Sequence, residues 1–153
     1  FVVRSPRTKA LIGAAEGRRV DLGDGVVIEV GRTMQKWCTV ALTALEGELP
    51  IPKRALLVAT GFTENTGMGW KDKEKTTVGR DWGRAPVLVE CIPAHIRIAS
   101  PQGAPLPDVR ALDERGQPRE NVEVKRASDG NAEFQIGPAH RTLWYEIRPS
   151  GED

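Results

Sequence analysis

No window of this chain keeps a helical hydrophobic period for three turns without meeting a glycine or a proline. Sixteen glycines and eleven prolines punctuate 153 residues. Inside a helix a glycine costs roughly 1 kcal/mol relative to alanine and a proline roughly 3 kcal/mol. A helical bundle is therefore excluded. Only residues 10 to 17 are ambiguous, and their glycines limit them to about one helical turn.

The segments between the breaks are rich in Val, Ile, Thr and Leu. Residues 26–30, 37–45, 55–60, 86–92, 94–98, 109–112, 122–124, 132–136 and 143–147 are such runs. His95-Ile96-Arg97-Ile98 and Glu133-Phe134-Gln135-Ile136 alternate polar with apolar, the period of a half-buried strand. Gly23-Asp24-Gly25, Glu46-Gly47-Glu48, Arg115-Gly116-Gln117-Pro118 and Ser128-Asp129-Gly130-Asn131 supply turns between them. Short strands broken every ten or so residues predict an all-β domain, an antiparallel two-sheet β-sandwich of jelly-roll-like type, with helix below about 10 % of residues. Residues 1–150 read as one domain. A chain of this length buries roughly two-thirds of its unfolded surface, so its core needs no metal or set of disulfides.

The charge balance excludes several roles. Lys and Arg total 22 against 21 for Asp and Glu, a net charge of +1, without the basic excess of a nucleic-acid binder. No apolar stretch approaches the length of a membrane-spanning helix. No signal peptide is visible, and the start at Phe1-Val2-Val3 in mid-strand suggests a domain excised from a longer protein. Cys38 and Cys91 lie in apolar runs without metal-ligand spacing. Two free thiols behaving as small hydrophobes are expected.

Residues 61–86 form a loop insertion far longer than a hairpin needs, and such loops are functional or carry strands of their own. The loop holds Trp70 and Trp82 beside Asn65, Asp72 and Arg80. A pyranose ring offers C–H faces to an aromatic plane and hydroxyls to bidentate polar groups, so this mixture fits a carbohydrate site. Trp70 serves equally as a plug over the open edge of the sandwich. For Trp82 the plug is the stronger reading, because Gly83 to Pro86 lead straight into an expected core strand. Trp37 opens the longest strand on the face of Thr39, Ala41 and Thr43, opposite Cys38, Val40 and Leu42, and so points outward as a third aromatic candidate. In residues 143–147 the alternation places Leu143, Tyr145 and Ile147 on the core face and leaves Trp144 partly exposed or covered by a loop.

Catalytic signatures are missing. The chain has no Gly-x-Ser-x-Gly elbow, no His-Glu-x-x-His and no phosphate-cradling glycine loop. His95 and His140 are far apart in sequence. Glu64, Asp72, Glu74, Asp81 and Glu90 could nominally supply the carboxylate pair of a glycosidase, yet a charge-rich loop contains acids in any case. No catalytic residue, metal ligand or cofactor is assigned. Asp72, Glu74 and Asp81 are acids of the kind that ligate calcium, but they lack a recognisable calcium-loop spacing and the ion is not predicted.

Leu56-Leu57-Val58-Ala59-Thr60-Gly61, Glu64-Asn65-Thr66-Gly67-Met68-Gly69-Trp70, Thr77-Val78-Gly79, Trp82-Gly83 and Ala85 to Glu90 together resemble the C-terminal β-sandwich that follows the catalytic (β/α) barrel in multimodular bacterial glycoside hydrolases. Phe1-Val2-Val3, Ser5-Pro6-Arg7-Thr8 and Gly13 are similar to the start of that domain. Ala111-Leu112-Asp113, Gly116 and residues 142–147 are similar to its last strands. The resemblance implies a non-catalytic accessory domain of a secreted or cell-surface enzyme, with the acid and nucleophile in the barrel. Two roles follow. One is a module that binds a plant-type polysaccharide such as β-glucan or xylan; the other is a structural domain that packs on the catalytic domain of the same polypeptide without binding glycan.

Overall fold

The alternation in the sequence is realised as fourteen strands among residues 1–151, which the computed structural model describes. In chain order they are β1 (Val2–Arg4), β2 (Thr8–Ala14), β3 (Arg19–Asp21), β4 (Val27–Val30), β5 (Trp37–Glu46), β6 (Arg54–Thr60) and β7 (Thr63–Thr66). Then follow β8 (Arg84–Val89), β9 (Ala94–Ile98), β10 (Asp108–Leu112), β11 (Pro118–Val122), β12 (Val124–Arg126), β13 (Ala132–Ile136) and β14 (Trp144–Arg148). The sole helical element among the described residues is a 3₁₀ turn at Pro138–His140. The ambiguous stretch at residues 10–17 belongs mostly to β2, which pairs along its whole length with β5.

Two antiparallel sheets face each other. The larger has seven strands in the order β1-β2-β5-β6-β14-β10-β11, and the smaller has five in the order β12-β13-β9-β4-β3. Strand alternation fills the space between them. Cys38, Val40 and Leu42 of β5 and Leu57 of β6 meet Ile28 of β4, Ile96 of β9 and Phe134 of β13 in one buried cluster. Each such aliphatic side chain contributes roughly 1.5–3 kcal/mol by leaving water. One charged side chain joins the inner layer. Lys9, on the inward register of β2 opposite Leu42, is 3 % exposed and reaches Asp24 in the turn before β4, pinning one sheet to the other.

The outer faces of the two sheets differ in chemistry. The five-stranded sheet carries Arg19 beside Glu29 at 3.9 Å, His95 beside Glu133 at 3.6 Å and Arg97 beside Asp129 at 2.7 Å, a salt-laced solvent face. On the outer face of the seven-stranded sheet, Thr39, Ala41 and Thr43 of β5 and Leu56, Val58 and Thr60 of β6 are uncharged. Trp144 stands on it half-buried, while Tyr145 and Ile147 point into the core as the alternation required. Glu146 also points outward but is covered by Arg54 at 2.9 Å and Arg148 at 3.0 Å.

The long loop builds a third, two-stranded sheet from β7 and β8, with the bridge Trp70–Val78 between them. One expectation is overturned here. Residues 86–92 do not run as a core strand: β8 pairs only with β7 and is exposed along nearly all of its length, and the chain enters the core again only at Ile92. The apolar run Pro86-Val87-Leu88-Val89 therefore lies on an outboard ribbon. Trp82, which leads into it, is 65 % exposed and plugs nothing.

Candidate functional site

Two loops from different parts of the chain are brought against each other at one end of the seven-stranded sheet. Gln35 precedes β5 and Trp37 opens it, Gly61 and Phe62 come from the turn between β6 and β7, Thr63 opens β7, and Trp70, Lys75, Thr76 and Val78 come from the long loop. Together they line an open groove of about 580 Å³. Trp37 is 48 % exposed at its lip and Trp70 is half-buried in its wall.

Glu90 ties together the two segments that carry the tryptophans. One of its carboxylate oxygens accepts the Met34 amide at 2.7 Å and the other accepts the Phe62 amide at 3.0 Å. The segment before Trp37 is thereby fastened to the segment before Trp70. A second strap crosses higher up, where the Gln35 side-chain amide donates to the Lys75 carbonyl at 2.9 Å.

Glu64 fixes the Trp70 wall. It accepts the indole N–H of Trp70 at 2.7 Å and the Lys75 ammonium at 2.6 and 2.8 Å. Lys75 holds its carboxyl below the usual glutamate range, with the indole N–H acting the same way. The Lys75 ammonium also lies 5.4 Å from the centre of the Phe62 ring, a cation–π contact. Phe62 in turn backs Trp70, with ring centroids 5.6 Å apart and planes tilted by 44°. Lys75 adopts a left-handed backbone, φ 57°, that few non-glycine residues occupy. The indole is therefore held by a hydrogen bond on one edge and a ring behind it.

The remaining residues singled out in the sequence serve the loop or stand apart. Both oxygens of Asp72 are occupied by loop amides, Thr76 and Thr77 at 2.8 Å each, and these bonds lower its pKa. Asn65 donates to the Trp82 carbonyl at 2.8 Å, tying the two ends of the ribbon together. Arg80 is exposed and does not line the groove, and neither does Trp82. Trp37 and Trp70 are thus united, while Asn65 and Asp72 shape the loop around them. Phe62, Gln35 and Lys75 carry no signal of a site in the sequence, and Glu64 and Glu90 stand out there only as nominal acids. A carboxylate spent on backbone amides leaves no spacing signature in sequence.

The arrangement offers flat aromatic surface flanked by neutral hydrogen-bonding groups and a lysine whose charge Glu64 already balances. No group of three or more His, Cys, Asp or Glu among the described residues is arranged to hold a metal ion. Both cysteines are free thiols. No family model, curated protein or solved structure matches the chain.

Proposed function

We propose that this domain is a non-catalytic carbohydrate-binding module, and that it holds an attached, secreted glycoside hydrolase on a plant-type polysaccharide such as β-glucan or xylan. The observation that carries this reading is the meeting of Trp37 and Trp70, 33 positions apart in sequence, across one open groove. A locked indole offers its face to a sugar ring without the entropy cost of ordering a mobile side chain. Gln35, Thr63 and Thr76 supply neutral donors and acceptors at the lining for hydroxyl groups. Binding of this kind raises the local concentration of a tethered enzyme on its substrate.

The test is affinity electrophoresis of the isolated domain in gels holding soluble β-glucan, xylan or mannan. Retardation by at least one polymer is expected. Trp37→Ala and Trp70→Ala should each weaken it by roughly 2 kcal/mol, about thirtyfold. A domain that no polysaccharide retards is not such a module.

A second reading has its own support. Trp82, Val87 (56 % exposed) and Leu88 (49 % exposed) leave apolar surface exposed on the outboard ribbon, and a severed domain interface leaves surface of that kind. On this reading the ribbon packs against the catalytic domain of the same polypeptide. Leu88→Lys would then lower the stability of the joined protein and leave that of the isolated domain unchanged.

A further inference from the structure

The groove is one end of a larger surface. Trp37 faces outward on the seven-stranded sheet, opposite the buried Cys38, and strand register carries that face to Trp144. Ala41, four residues along β5 from Trp37, pairs with Val58 of β6, and Val58 pairs with Trp144 of β14. Four residues of strand and two strand spacings separate the two tryptophan backbones by roughly 16 Å. The intervening outward positions are Thr39, Ala41 and Thr43 on β5, and Leu56, Val58 and Thr60 on β6. None is ionisable, whereas the outer face of the opposite sheet is laced with ion pairs.

Beyond this platform lies a second groove, of about 280 Å³, with Trp144 in its wall. Leu45, Leu56 and Leu112 also line it, together with the paired charges of Arg54 and Glu146 and the acidic residues Asp113 and Glu114. Among the described residues nothing accepts the Trp144 indole N–H, and it remains available to a ligand oxygen.

Building on the glycan-binding reading, we infer that Trp37 and Trp144 are the two ends of one extended subsite, which takes the interior of a long, uncharged polysaccharide chain. Neutrality follows from the platform, since a polyuronate lying across Thr39, Ala41 and Val58 would meet no cation. Chain length follows from the spacing, since a disaccharide fills one groove and only a longer oligomer reaches the other. A protein partner would also cover an uncharged face, but two separate aromatic grooves joined by small side chains fit a ribbon-like ligand better than a convex one.

The test compares the intact domain with Trp144→Ala and Ala41→Glu, the second placed on the outer face where it removes no core contact. Cellobiose and cellohexaose, and xylobiose and xylohexaose, serve as probes, with thermal melts to establish folding. The hexamer of one series should bind the unaltered domain at least tenfold more tightly than its dimer. Both variants should lose that gain and keep dimer affinity within twofold. The Trp144 indole N–H resonance of the unaltered domain should shift with hexamer and stay in place with dimer, a readout that needs no variant. Equal affinity for hexamer and dimer, or a hexamer gain that survives in a folded variant, overturns the extended subsite and leaves the groove reading standing. Binding of no oligomer overturns both.

Discussion

Gly61 has no room for a side chain because Glu90 occupies the space: a Cβ there would lie 2.5 Å from the Glu90 carboxylate and 2.5 Å from Ile92. Its backbone angles do not demand glycine, so the requirement is one of close approach. Gly61→Ala should push Glu90 off the Phe62 amide and cost roughly 1–3 kcal/mol, the range for overpacking. Urea denaturation gives the cost, and the Phe62 amide resonance reports the displaced carboxylate. Unchanged stability and an unmoved resonance would show that the contact yields freely.

Glu64 predicts how the groove responds to acid. Its carboxyl is held below the ordinary glutamate range, chiefly by Lys75 and then by Trp70. A depressed folded-state pKa gives stability that is present above the unfolded value and lost as pH falls through the folded one. Trp70 should therefore keep its environment through the usual glutamate titration near pH 4 and loosen only at lower pH. Tryptophan fluorescence across a pH series checks this, and Glu64→Gln should abolish the acid step.

Lys9 and Asp24 give a contrast between removing a charge and orphaning one. Lys9 is buried and Asp24 is about half exposed. Asp24→Asn leaves the ammonium inside without a counter-ion and should cost roughly 1–3 kcal/mol. Lys9→Met removes the charge with its stem length retained, and should be close to neutral. Asparagine tolerates the left-handed backbone of position 24, φ 51°, so the substitution isolates the charge. Urea midpoints of the two variants decide it, and equal losses would argue against a desolvation effect.

Burial, and secondarily the Glu90 carboxylate, raises the pKa of both Cys38 and Cys91. The thiolate is the reactive form. Labelling by a disulfide reagent at pH 8 should be slow in the native protein and fast in denaturant, and dithiothreitol should leave the melting temperature unchanged. Rapid native labelling of either cysteine would contradict this.

The sandwich was legible because its core strands alternate cleanly. Cys38, Val40 and Leu42 on one side of β5 and Trp37, Thr39 and Ala41 on the other need no tertiary knowledge to sort. Residues 86–92 misled for the same reason. Pro-Val-Leu-Val looks like a core strand, yet periodicity reports only apolar surface and cannot say whether a second sheet is there to cover it. Trp82 was misassigned with that strand. Trp37 and Trp70 were each legible as outward aromatics. Their meeting was not, because it depends on Glu90 binding two distant amides and on Gln35 reaching the Lys75 carbonyl. Such long-range polar fastenings follow from the fold and leave no local pattern.

Because β7 and β8 share no ladder with the sandwich, the domain has two units that need not open together. The ribbon's backbone bonds to the body run mainly through Glu90, while the strands beneath are closed on both sides. Its amides should exchange with deuterium well before those of β5 and β6, at a free energy below that of global unfolding. One lip of the groove, Trp37, thus rests on the slow-exchanging unit, and the Trp70 wall belongs to the fast one. A molecule held between them couples the two units, and its presence should be read as slowed exchange across residues 63–89 with the sandwich strands unaffected.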